Sequence, residues 1–147
     1  MTGFIYPVSG YWTWGGGWLD SLGFSDFAGS GIVHMAGASA LAGVLVLGPR
    51  QGKYGKKGCI HAIPGANLPL ATVGTFILWM GWFGFNGGSE LKLSDAASAN
   101  NVAQVLVNTN AAAAGGVIAA LIVARLWFRK ADLTMALTGA LAGLVAI

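Results

Sequence analysis

Charged positions are so sparse along this chain that the hydrophobic runs between them delimit its elements almost unaided. Residues 27–49 carry no formal charge until Arg50, 67–89 none until Glu90, and 96–127 none until Arg125. A fourth apolar run, 133–147, reaches the last residue of the chain. The first three are each long enough to cross a hydrocarbon core about 30 Å thick, which takes roughly 20 residues of helix. None alternates apolar and polar residues as a barrel strand does, so the pattern predicts helices. The fourth run would rise only about 22 Å as a helix, short of the core thickness. The chain is therefore read as a fragment of a longer protein.

Composition turns these runs into a membrane assignment. Hydrophobic residues make up 55% and charged residues 9%, against about 25% charged in a soluble globular domain. Such a chain has too little polar surface to cover a water-soluble body. The 24 glycines have no collagen-like period, and there are 6 tryptophans. Glycine lets membrane helices approach closely, and tryptophan favours the membrane–water interface. Small residues recur at packing spacing: Gly37 and Gly43 with Ala36 and Ala40, Ala111 through Gly116, and Gly139 with Gly143. They predict a tight bundle and say nothing of its cargo. The opening MTGFIYPVSG lacks the basic start and apolar core of a signal peptide.

The net charge of +3 is no nucleic-acid signature, because the basic residues fall in short loops without interleaved aromatics. Arg50, Lys53, Lys56 and Lys57 follow the first run, and Arg129 and Lys130 follow the third. The positive-inside tendency places loops 50–66 and 128–132 in the cytoplasm and 90–100 outside. Cys59 is the single cysteine, so it has no disulfide partner in the chain and is read as a free thiol. His61 reads as a solvated loop residue. No nucleophile–base pair, metal-ligand spacing or phosphate loop is present. Neither an enzyme, nor a metal site, nor a cofactor is expected.

His34 stands inside the first apolar run. Ionisable groups at bilayer depth are costly and face a cavity, a partner or a pathway. A neutral imidazole donates one hydrogen bond and accepts another, so it suits either a proton relay or a bond between helices. Asp26 precedes the run as a helix N-cap that also favours an entering cation. On a continuous helix His34 would lie about 80° around and ~12 Å along from it. Trp82, Phe85 and Ser89 share one helical face at i, i+3 and i+7. That face is either packing or a pore wall that excludes water and attracts cations. Trp14 opens a Trp-Gly-Gly-Gly run suited to a tight turn at the membrane surface, and reads as an interfacial anchor or a cap over an opening.

Taken together, Trp14-Gly-Gly-Gly, Asp26-Phe-Ala-Gly-Ser with Val33-His34, Asn67-Leu-Pro-Leu70, Gly81-Trp-Phe-Gly-Phe-Asn-Gly-Gly-Ser89, Val107-Asn-Thr-Asn110 and Gly139-Ala-Leu-Ala-Gly-Leu-Val-Ala146 resemble the Amt/Mep/Rh ammonium transporter family, the bacterial Amt branch especially. The resemblance covers nearly the whole chain with its motifs in order. It implies an all-α membrane protein of eleven helices per subunit in two inverted halves, assembled as a homotrimer with a pore in each subunit. This chain resembles the end of the fourth helix through the start of the eighth. By the same resemblance Trp14 and Ser89 belong to an outer ammonium-recruitment site and Phe85 to a pair of gating phenylalanines. His34 resembles the first of twin histidines, Trp82 a pore-lining aromatic, and Asp26 the cap of the fifth helix. The family's members bind ammonium, deprotonate it and pass ammonia through a dry pore. The second histidine and the other gating phenylalanine fall outside this chain. The cytoplasmic P-II signalling protein, which regulates many members, is implied as a partner; the loop at 58–65, longer than in familiar bacterial members, leaves that contact open. An ammonium sensor coupled to a cytoplasmic signalling domain is the alternative, and a bundle without transport the third reading.

Overall fold

The computed structural model describes residues 2–147, among which regular structure is almost entirely helical. The chain divides into two compact units, one ending at Ala66 and the other spanning Asn67–Ile147.

In the first unit, α1 (Ile5–Trp14) ends at three consecutive glycines. Gly16 takes φ +79, a conformation that a side chain would strain, and Gly17 N–H turns back to Tyr11 O at 3.1 Å. One further turn, α2 (Trp18–Ser21), leads into an extended loop. Then come α3 (Ile32–Ala38) and α4 (Ala40–Leu47), separated at Ser39, whose hydroxyl donates to Ala36 O at 2.6 Å. α1 packs on α3, and Ile32 and Ala28 are buried. The helix thus starts at Ile32, five residues later than the uncharged run. The reason is local: residues 26–31 wrap around the Asp26 carboxylate, and Gly29 adopts φ +100. The helical offset between Asp26 and His34 expected from a continuous helix therefore does not apply. The small residues of α3 and α4 also differ from expectation. A Cβ at Gly37 or Gly43 would meet no atom within 4 Å, and Gly37 lines an open pocket shared with Tyr6 of α1.

The second unit contains α5 (Leu68–Gly88), α6 (Ala96–Phe128) and α7 (Leu133–Ala146). Each starts at a side-chain cap. Asn67 accepts from Leu70 N–H at 2.9 Å ahead of Pro69; Asp95 accepts from Ser98 N–H at 2.8 Å; Asp132 accepts from Met135 N–H at 2.9 Å. These bonds satisfy amides that have no partner within the helix. α5 and α6 are both long and apolar enough to cross a membrane; α7 is shorter. α6 and α7 run antiparallel along the predicted small-residue seam. A Cβ on Gly116 would overlap Gly139 O, and one on Gly143 would overlap Ala112 O. Ala113, Ala124, Ala140 and Leu144 are buried along it. Backbone-to-backbone approach of this kind replaces the hydrophobic driving force that lipid removes.

The caps at Asp95 and Asp132 lie outside the long apolar helices. Lys92 and the Ser98 amide hold the Asp95 carboxyl below its ordinary value of 3.8, and the Thr134 hydroxyl with the Met135 amide does the same for Asp132. A lowered folded-state pKa stabilises fully above pH 3.8, and the contribution vanishes as pH falls from there through the lowered value. Amide exchange in the first turns of α6 and α7 should therefore accelerate in that acid window relative to mid-helix amides. At the seam, Gly139→Ala places a methyl 2.5 Å from Gly116 O and from the Ala120 methyl. It should destabilise by about 1–3 kcal/mol. Gly74→Ala, with nothing within 4 Å, should not; thermal melts of the two variants in the same detergent compare them.

Candidate functional site

Asp26 organises one end of the first unit. One carboxylate oxygen accepts from Gly29 N–H at 2.8 Å, the other from Gly31 at 3.0 Å and Ile32 at 2.8 Å. Three amides at the start of α3, which would otherwise need water, are satisfied by one side chain. Asp26 is thus the expected cap, though it works through a loop rather than from the residue next to the helix. Its backbone carbonyl has a second task. Trp14 Nε1–H donates to Asp26 O at 2.9 Å, which fixes the indole across twelve residues of sequence. The ring edge also lies against Gly29, where an added Cβ would come within 3.4 Å of the indole and 2.5 Å of Val33 Cγ2. The indole's only polar hydrogen is thereby donated, and the side chain is about half exposed. His34 lies in the first turn of α3, half-buried, with its amide on Gly29 O at 3.1 Å. One loop thereby positions Trp14, Asp26 and His34 together.

The other candidate residues sit at the end of α5. Trp82 and Phe85 are in ring contact, centroids 6.1 Å apart and planes tilted by 51°. Ser89 closes the helix, and its hydroxyl donates to Phe85 O at 2.8 Å. Its hydrogen is thereby occupied, and the half-buried oxygen keeps its lone pairs as acceptors. The shared face expected from i, i+3, i+7 spacing is what brings the three together.

Sequence reasoning assigned no role to Asn86 and Thr109. Asn86 Nδ2 donates to Thr109 Oγ1 at 3.1 Å, and that hydroxyl donates to Val105 O at 2.7 Å. Both residues are buried. This bond between α5 and α6 sits one residue from Phe85 and sets the rotation of the ring-bearing face. An asparagine and a threonine inside two uncharged runs were its only visible signal.

The sequence profile of the Ammonium Transporter Family matches residues 1–147. The chain belongs to that family. It is 50% identical to ammonium transporter Amt2 of Archaeoglobus fulgidus over 97% of this chain and 32% of that protein. It is 48% identical to a putative ammonium transporter of Synechocystis over the whole chain and 34% of the relative. Among solved structures, one described as Sensor Amt Protein superposes with TM-score 0.87 at 45% identity, covering 97% of this chain and 36% of that one. The chain thus spans about a third of the length of these ammonium transporter relatives, and its all-helical fold is part of a multi-helix membrane fold.

Removing the Asp26 carboxylate should free the amides it holds. Asp26→Ala is expected to speed hydrogen exchange at Gly29, Gly31 and Ile32 by about 5- to 150-fold, the equivalent of roughly 1–3 kcal/mol for an orphaned polar group. Asp20→Ala, in the exposed turn α2, should leave those amides unchanged, and mass-spectrometric exchange reads both variants.

Proposed function

We propose that this chain forms the central part of an ammonium channel subunit, which recruits the cation at an outer mouth and conducts neutral ammonia. The observation that carries the reading is how donors are occupied at the candidate residues. Ammonium has four hydrogen-bond donors and no acceptor, so it needs a π face or oxygen lone pairs. Trp14 offers a ring face with its N–H already given to Asp26 O, and Ser89 offers an oxygen whose hydrogen points at Phe85 O. Cation–π attraction contributes about 0.5–2 kcal/mol. The Asp26 carboxylate, engaged by three amides, acts as the builder of the Trp14 support and as a fixed negative charge, not as a direct ligand.

Beyond recruitment, a bare cation at bilayer depth costs several kcal/mol. The proton is therefore left behind or relayed, and the neutral molecule passes the Trp82–Phe85 pair. His34, inside the first apolar run, is the group that would take and return a proton. Family membership supports a transporter rather than an enzyme, and a membrane location. In this reading the subunit assembles as a homotrimer in the cell membrane, with loops 50–66 and 128–132 in the cytoplasm, 90–100 outside, and P-II as a regulatory partner.

One specific observation favours a second reading. The similarity to a protein described as Sensor Amt Protein fits a domain that binds ammonium and signals to a cytoplasmic partner. Saturable ammonium binding without flux would select it.

In proteoliposomes containing the full-length protein, His34→Ala should change the ammonium transport rate or the ratio of ammonium current to methylammonium uptake. Unaltered current and uptake would remove His34 from the conduction path. Trp14→Leu should weaken apparent ammonium affinity by about 2- to 30-fold, the range equivalent to a lost cation–π contact. Trp14→Phe, which keeps a ring, should lose less.

A further inference from the structure

The segment between α4 and α5 has a built feature that conduction does not use. Tyr54 and Ile60 form an isolated antiparallel bridge, flanked by Gly55 N–H to Cys59 O at 2.7 Å and His61 N–H to Lys53 O at 2.9 Å. A turn at Lys56–Gly58 closes the hairpin, with Gly58 at φ +76. This is a non-hydrogen-bonded pair, so the Tyr54 and Ile60 side chains stand close together on one face. Both are exposed, at 58% and 65%. Lys53 and His61, one position away on each strand, take the opposite face, and Lys56 is exposed at the tip. Arg50 lies just before the hairpin, and no Asp or Glu occurs between Asp26 and Glu90 to neutralise these cations.

We propose that the 53–61 hairpin lies against the membrane surface, with Tyr54 and Ile60 in the interfacial layer and Arg50 and Lys56 on anionic lipid headgroups. The proposal rests on reading the chain as a membrane channel with this loop on the cytoplasmic side, where anionic lipids concentrate. Reach permits it. Six residues, seven Cα–Cα steps, separate Leu47 at the end of α4 from Tyr54, at most about 25 Å when extended. The path is shorter than that, because Gly48 and Gly52 turn at φ +77 and +78 and Lys53 N–H folds back to Arg50 O at 3.0 Å. Composition favours lipid over a protein partner. An aromatic with a polar tip suits the interface, and lysine stems run along apolar surface while the ammonium stays among headgroups. The hairpin amides at Gly55 and His61 are already bonded internally, so insertion strands neither of them.

Cys59, exposed within the hairpin, is the natural reporter. A polarity-sensitive fluorophore on it, in the full-length protein, is compared between nanodiscs of phosphatidylcholine alone and of phosphatidylcholine with phosphatidylglycerol. A blue-shifted emission in the anionic discs that reverts at high salt is the expected result. Arg50→Gln and Lys56→Gln should each lower the ratio of buried to exposed probe by about fivefold. Tyr54→Ser with Ile60→Ser should abolish the shift while leaving the charge intact. Emission indifferent to lipid charge overturns the proposal, as does emission that shifts only when a purified cytoplasmic protein is added. Ammonium uptake in proteoliposomes of the same lipids separates the two readings. Uptake without an emission shift sinks the hairpin proposal alone, and the shift without uptake sinks the channel.

Discussion

In hydrocarbon a backbone amide has no water to turn to, and every break in a helix must be answered by the protein itself. That constraint bears most on the loop at 26–31, which holds Asp26 and supports Trp14. The loop at 26–31 exists because one carboxylate accepts three amides and one glycine takes φ +100. The same loop turns a carbonyl toward the Trp14 indole. A break that costs regular hydrogen bonds is thus converted into a support for an aromatic ring. The short break at Ser39 is answered more simply, by its own hydroxyl on Ala36 O.

The candidate residues share one electrostatic logic. At two of them the side-chain polar hydrogen is given to a backbone carbonyl, which leaves a ring and an oxygen as the remaining polar features. Trp14 on Asp26 O and Ser89 on Phe85 O are the two instances.

Packing in the second unit supplies the rigidity that such a face requires. The Gly116–Gly139–Gly143 seam draws α6 and α7 to backbone contact, and the buried Asn86–Thr109 bond ties α5 to α6 beside Phe85. Small residues set the distance between helices, and the polar pair sets rotation about the axis. The two act on different degrees of freedom, so neither substitutes for the other.

The all-helical class, the membrane character and the family were legible in the sequence, because hydrophobic run length and charge placement are local properties and the Trp14, Asp26–His34 and Gly81–Ser89 motifs are contiguous; the division of the first run into α3 and α4 at Ser39 was not. The shared face of Trp82, Phe85 and Ser89 was legible too, since helical period is a matter of spacing alone. The α6–α7 seam followed from glycine and alanine spacing. The late start of α3 at Ile32 did not, because an uncharged run does not reveal a loop folded around a carboxylate. Nor did Trp14 bonding to the Asp26 carbonyl, or Asn86 to Thr109, which join residues 12 and 23 apart. Hydrogen bonds between distant positions depend on where packing leaves each donor and acceptor. Only the tertiary structure decides that.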